Sequence, residues 1–151
     1  MDKKTNLIQT VFMSVLFSAI FTAVGYFMSP ADLVNVSIQF IVGLIVGMAV
    51  SLIIPVGEIG SAVASKLSAP GSPAFSFFMF NTILLIMLVF MCPIMAVIFG
   101  CVLGGAPLPA ILHGAYGNFV PFYICGALAM QLLGTKISQL SAYLAHPEMR
   151  R

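Results

Sequence analysis

The sequence predicts an all-α membrane protein whose four transmembrane helices form two tandem parallel two-helix repeats. Three observations predict it. The chain has 151 residues, 61% hydrophobic and 7% charged, whereas a soluble domain carries about a quarter charged residues. Its apolar residues fall in four long runs, and a helix needs roughly 20 such residues to cross about 30 Å of hydrocarbon at 1.5 Å per residue. Finally, segment 89–100 repeats segment 11–22 without a gap: Val11/Val89, Phe12/Phe90, Met13/Met91, Ile20/Ile98 and Phe21/Phe99 coincide at one offset, and Val24/Val102 extends it. Such an ungapped match marks a duplicated two-helix unit. The first repeat covers 1–67, a Pro/Gly/Ser linker 68–74, and the second repeat 75–151.

Residues 1–5 are polar and basic, and the first helix is expected over 6–28. Lys3-Lys4 before an apolar run also fits a secretory signal. The run to Met28 exceeds the roughly 7–15 residues of a signal core, and no small-x-small cleavage site follows it. Its pairing with an internal helix also makes it a span. Pro30 then forbids continuation, and Ser29 or Asp32 is placed to cap the next helix.

The second helix is expected over 33–55, with Pro55 kinking or ending it. Residues 57–67 carry Glu58 and Lys66 and read as a helix along the interface. Ser68-Ala69-Pro70-Gly71-Ser72-Pro73 stops any helix. The third helix is expected over 75–103, with Pro93 near its middle. Gly104-Gly105-Ala106-Pro107-Leu108-Pro109 ends it, and 110–117 reads as a loop with room for a short interfacial helix. The fourth helix runs over 118–134 and continues through Leu144, followed by a polar tail, 146–151.

The six basic residues are Lys3, Lys4, Lys66, Lys136, Arg150 and Arg151. They sit at the N-terminus, before the third helix and after the core of the fourth. The positive-inside rule therefore predicts cytoplasmic termini and a cytoplasmic middle loop. Two helices per repeat make the repeats parallel, related by an axis along the membrane normal. A net charge of +2 does not suggest nucleic acid as a partner. The lipid bilayer is the expected surrounding, with a second copy or another membrane protein as the expected partner.

Four constellations are candidates for function. Small residues recur every four positions: Ser14, Ser18 and Thr22; Gly43, Gly47 and Ser51; Cys92, Ala96, Gly100 and Gly104; Cys125 and Ala129. They let helix backbones approach closely in lipid, within the bundle or between copies. Glu58 and Lys136 occupy equivalent positions in the two repeats and form a candidate interfacial ion pair. Met91, Cys92 and Met95 carry soft ligands suited to Cu(I), yet Met91 and Cys92 point about 100° apart on a helix. They read as packing residues, and no metal or cofactor is expected. Pro93 frees the carbonyl near Val89, which a neighbouring Asn or Ser is expected to satisfy. Asn35, Gln39, Asn81, Asn118 and Gln131, with His113 and Tyr116, are candidates to line a path for a neutral solute or to hydrogen-bond between helices.

No Asp, Glu, Lys or Arg lies centrally in any span, where pumps and proton relays place one. No phosphate loop, zinc spacing or nucleophile elbow is present. The three cysteines lie in apolar runs and form no disulfide framework. Enzyme activity is not expected.

With the duplicated unit, Met13-Ser14, Cys92-Pro93-Ile94-Met95 and Pro55 in place, the chain resembles the small bacterial membrane proteins of the domain of unknown function 2798 family. In that family, paired helices carry a Met-Ser or Cys-Pro-x-Met segment and a Pro near the inner end of the second helix. Helix four departs from the pattern, with Gly134 in place of Pro. The resemblance implies a bacterial inner-membrane protein and supplies no activity. The expected function is thus non-enzymatic, exerted through helix packing with itself or with membrane partners. The alternative is a small channel or facilitator for an uncharged or weakly charged solute.

Overall fold

The computed structural model describes residues 3–28, 32–117 and 119–145. All regular secondary structure among the described residues is helical, with no strand. They form α1 (Lys3–Met28), α2 (Leu33–Ile53), α3 (Val56–Leu67), α4 (Pro73–Ala96) running into a π-helical segment (Val97–Leu103), α5 (Leu108–Gly114) and α6 (Phe119–Ala145). Four stretches are long and apolar enough to span a membrane: Leu7–Phe27, Leu33–Ile53, Pro73–Leu103 and Phe119–Ala145. The expected turn at 29–31, Asn118 and the tail 146–151 lie outside the described residues.

The helix ends follow from local chemistry. Asp32 caps α2, its carboxylate accepting from the Asn35 N–H at 3.2 Å. Pro55 has no N–H to donate, so α2 stops at Ile53 and α3 restarts at Val56. Gly71 turns the chain at φ +84°, a conformation open to glycine at little cost. Ser72 then accepts from the Phe75 N–H at 3.1 Å, with Pro73 in the first turn. This cap starts α4 two residues earlier than expected, because Pro at the first helical position costs no hydrogen bond.

Two further differences have physical causes. The third span is not one α-helix: its last seven residues widen into a π-helix, a form that arises as a local bulge within α-helices. The stretch 110–117, which reads from sequence as a loop with room for a short helix, holds most of the short helix α5. That helix starts earlier, at Leu108, because Pro107 and Pro109 suit its first turn, and it packs against the π segment. By contrast, α6 is unbroken for 27 residues, since it has no counterpart of Pro55 at its corresponding position.

α1 packs between α2 and α6, and α4 packs between α6 and α2. α3 turns back along the first half of α4. α4 forms the axis of the core: Phe80, Leu84, Met87, Leu88 and Met91 are all at most 2% exposed, alongside Phe17 of α1 and Met130 of α6. Large α4 side chains enter notches left by glycines. A Cβ on Gly126 would lie 2.6 Å from Leu84, one on Gly134 2.9 Å from the Phe80 ring, and one on Gly60 2.8 Å from Ile83. The outer faces carry exposed Ile45, Leu52, Leu128 and Leu132, as a lipid-facing surface requires.

These notches predict a selective cost. Gly134→Val forces the Phe80 ring to move and is expected to destabilise the protein by about 1–3 kcal/mol. Gly57→Ala, which meets nothing within 4 Å, is expected not to. Thermal unfolding in detergent distinguishes them, and equal melting of Gly134→Val and wild type would rule out the tight fit.

Candidate functional site

On α1, Thr10, Ser14, Ser18 and Thr22 recur every four residues, so their hydroxyls stack along one side of the helix. Opposite them, α2 presents Gly47 and Gly43. The position of a Cβ on Gly47 is 3.7 Å from Ser14 Cβ, and that of one on Gly43 is 3.0 Å from Ser18 Oγ. The Ser18 hydroxyl donates to the Phe40 carbonyl. α4 completes the seam with methionines at the same spacing. Met91 Cε is 3.9 Å and Met95 Cε 3.5 Å from the Cβ positions of Gly47 and Gly43, while Ser51 donates to Met87 Sδ at 3.7 Å.

The seam is closed in its middle and open at both ends. Ser14, Ser18 and Met91 have no exposed surface, and Phe17 is 1% exposed. At the distal end, away from the chain's N-terminus, lies a cavity of about 230 Å³ walled by Phe21, Thr22, Gln39, Cys92, Met95 and Phe122, with Phe99 and α5 residues at its rim. At the proximal end, a void of about 50 Å³ lies among Gln9, Thr10, Met13, Ser51 and Met87. Gln9 Oε1, Ser14 Oγ and Thr22 Oγ1 are buried without a hydrogen-bond partner. Elsewhere in the protein, Thr82 and Ser141 satisfy themselves on the carbonyl four residues back, at 2.8 and 2.7 Å. The unsatisfied groups therefore gather along this seam and at its two ends, where buried polar atoms are ordinarily paired.

The sequence candidates separate clearly. Ser14, Ser18, Gly43 and Gly47 meet at the α1–α2 contact, and Cys92 and Ala96 line the distal cavity. Gly100 instead receives Ile111 of α5, whose Cδ1 occupies the space a side chain at that position would need. On α6 the close-packed stripe is Gly126, Met130 and Gly134, while Cys125 is exposed; the four-residue spacing was right and its phase was off by one. Glu58 and Lys136 are both exposed and form no ion pair, because Pro55 turns α3 onto α4.

The polar set does not converge. Gln39 lines the distal cavity. Asn81 accepts from the Tyr123 hydroxyl at 3.0 Å, tying α4 to α6, and donates to the Phe77 carbonyl at 2.8 Å. Asn35 and Gln131 are exposed, His113 falls on α5, and Asn118 lies outside the described residues. Among the described residues, no three His, Cys, Asp or Glu side chains gather. The carbonyl of Val89, released by Pro93, accepts from the Tyr116 hydroxyl at 3.1 Å; a tyrosine fills the role expected of Asn or Ser.

Sequence reasoning missed Gln9, Thr10 and the α6 glycines. The signal for the glycines was Gly126-x₃-Met130-x₃-Gly134, one residue from the stripe chosen. Thr10 was available as the next step of the Ser14–Ser18–Thr22 series.

Two predictions follow from this geometry. Glu58→Lys and Lys136→Glu should be additive within about 0.5 kcal/mol in a double-mutant cycle; larger coupling would show that the two side chains meet. Tyr116→Phe leaves the Val89 carbonyl unpaired and should lower stability by about 1–3 kcal/mol. Unfolding of that variant at the wild-type temperature would remove Tyr116 as the carbonyl's partner.

Comparison of this chain with protein-family models, curated proteins and solved structures finds no match.

Proposed function

We propose that the protein is a non-enzymatic facilitator that passes a small, uncharged solute along the seam between α1, α2 and α4. The observation that supports this most is the pair of voids at opposite ends of one seam, joined by a ladder of hydroxyls and separated by methionine side chains. The unpartnered Ser14 and Thr22 hydroxyls offer a solute both a donor and an acceptor, and Ser18, which donates to the Phe40 carbonyl, still offers an acceptor. Methionine has three rotatable bonds and a polarisable sulfur, so it closes a gap without rigidly filling it. Among the described residues, no charged side chain lines either void, which favours uncharged cargo over ions.

In the same reading, both termini are cytoplasmic, from the distribution of the basic residues, and the bacterial inner membrane is what the resemblance to the domain of unknown function 2798 family implies. Membership of the domain of unknown function 2798 family and a tandem duplication are part of the proposal. The helix ring supports duplication: α1 neighbours α2 and α6, and α4 neighbours α6 and α2, as a two-fold relating the α1–α2 and α4–α6 pairs would give. A second reading is action through packing with another copy or a membrane partner. It is favoured by α2, whose span is the least buried of the four at 17%.

Liposome swelling in glycerol tests the first reading. Vesicles containing the protein should swell faster than protein-free vesicles, and Met91→Ala should swell faster still, with helicity retained. Rates equal to those of empty vesicles for both proteins would refute passage and leave packing as the function.

A further inference from the structure

We propose that the distal cavity is a binding site for an uncharged aromatic molecule bearing a hydrogen-bonding substituent. This rests on the facilitator reading insofar as the cavity is the mouth of that seam, but binding is measured separately from passage. Size is the first argument. An apolar cavity of about 150 Å³ takes up benzene, so one of about 230 Å³ has room for a substituted ring or a fused pair of rings.

Wall chemistry is the second argument. Phe21 and Phe122 stack at a centroid distance of 4.4 Å and 25° between planes, and Phe99 and Met95 add further apolar surface. Ring faces and thioethers both favour contact with another aromatic ring.

Polarity is the third argument. Gln39 borders the cavity, with its Oε1 3.3 Å from the Cβ position on Gly25, and its side chain makes no hydrogen bond among the described residues. Thr22 is 8% exposed and its Oγ1 has no partner. Thr has two populated χ1 rotamers on a helix, so rotation about χ1 is the movement that offers this hydroxyl to a ligand. An amide and a hydroxyl can each give and take a hydrogen bond, which suits a phenol, an aromatic amine or an indole. A charged ring would be buried here with no opposite charge to pair with, which is strongly unfavourable.

The chain contains no Trp and four Tyr, so indole is excited on the red edge of its absorption, where tyrosine scarcely absorbs, and the empty-nanodisc signal is subtracted. Indole is titrated into the protein in lipid nanodiscs, with empty nanodiscs as the partition reference. Saturable one-to-one binding above that reference is expected. Gln39→Leu and Thr22→Val should each weaken it by about two- to tenfold, the worth of one neutral hydrogen bond. Ala96→Leu, which fills the cavity from α4, should abolish saturation. The Gln39 change falls on a half-buried side chain, so it tests the site even where Thr22→Val fails to fold. An indole signal that stays linear and matches empty nanodiscs would overturn the proposal. So would saturable binding unchanged in all three folded variants. Binding without glycerol passage would retain this site and refute the facilitator; passage without indole binding would do the reverse.

Discussion

The contact that joins three helices at one place depends on the absence of side chains at Gly43 and Gly47. At these positions α2 admits atoms from two other helices at once: Ser14 and Ser18 from α1, and the methyl ends of Met91 and Met95 from α4. In lipid, apolar surface gains little by leaving its surroundings, so helices associate through close van der Waals fit and interhelical hydrogen bonds. The two glycines supply the first, and the Ser18 bond to the Phe40 carbonyl supplies the second. Widening this contact would separate α1 from α2 and withdraw the methionines that divide the two voids.

Pro93 organises the distal end by a different route. Its missing N–H releases the Val89 carbonyl, and the Tyr116 hydroxyl from the chain beyond α5 takes it up. The π segment follows Pro93 within the same span, and Gly100 within it accepts Ile111 of α5. One proline thus stands beside a long-range hydrogen bond and ahead of a widened helix. Cys92, Met95, Ala96 and Phe99 around it, with Gly114 at the end of α5 and Ala115 after it, line the larger cavity. The proximal end has Pro55 in a comparable position, where the break between α2 and α3 leaves Val56 and Gly57 beside the smaller void.

The spans were legible because hydrocarbon imposes length and composition together. Pro55, Asp32 and the 68–73 turn were legible because their effects are local. The Ser14–Ser18 and Gly43–Gly47 stripes could be chosen from spacing, but their mutual contact required knowing which helix faces which. Phase on α6 was not legible: Cys125 and Ala129 are as small as Gly126 and Gly134 are spaced, and only the approach of Phe80 and Leu84 selects between the two faces. Glu58 and Lys136 illustrate the same limit. Pro55 breaks the chain just before Glu58 and sends it into α3, whereas Lys136 stays on the unbroken α6, so matching positions in the sequence did not translate into proximity. The π segment also escaped the sequence reading, since Val97–Leu103 has the composition of an ordinary apolar helix.

Under the proposed facilitator function, the hydroxyls, glycines and methionines act together as a single selective device. A seam of hydroxyls alone would stay hydrated and offer little resistance to water and protons. A seam of Leu or Phe would pack dry and rigid, because branched or aromatic side chains hold few alternative shapes. Alternating hydroxyls on α1 with methionines on α4 leaves a route whose polar groups are uncharged and whose barrier is soft. Burial of an ion there is opposed by desolvation with no counter-charge to offset it. A neutral molecule with one or two hydrogen-bonding groups exchanges water for Ser, Thr and Gln at each step. The same proposal accounts for the unsatisfied Gln9, Ser14 and Thr22 oxygens among the described residues, which lie at the proximal void, in the seam and at the distal cavity: a binding route needs polar atoms that the fold itself does not consume.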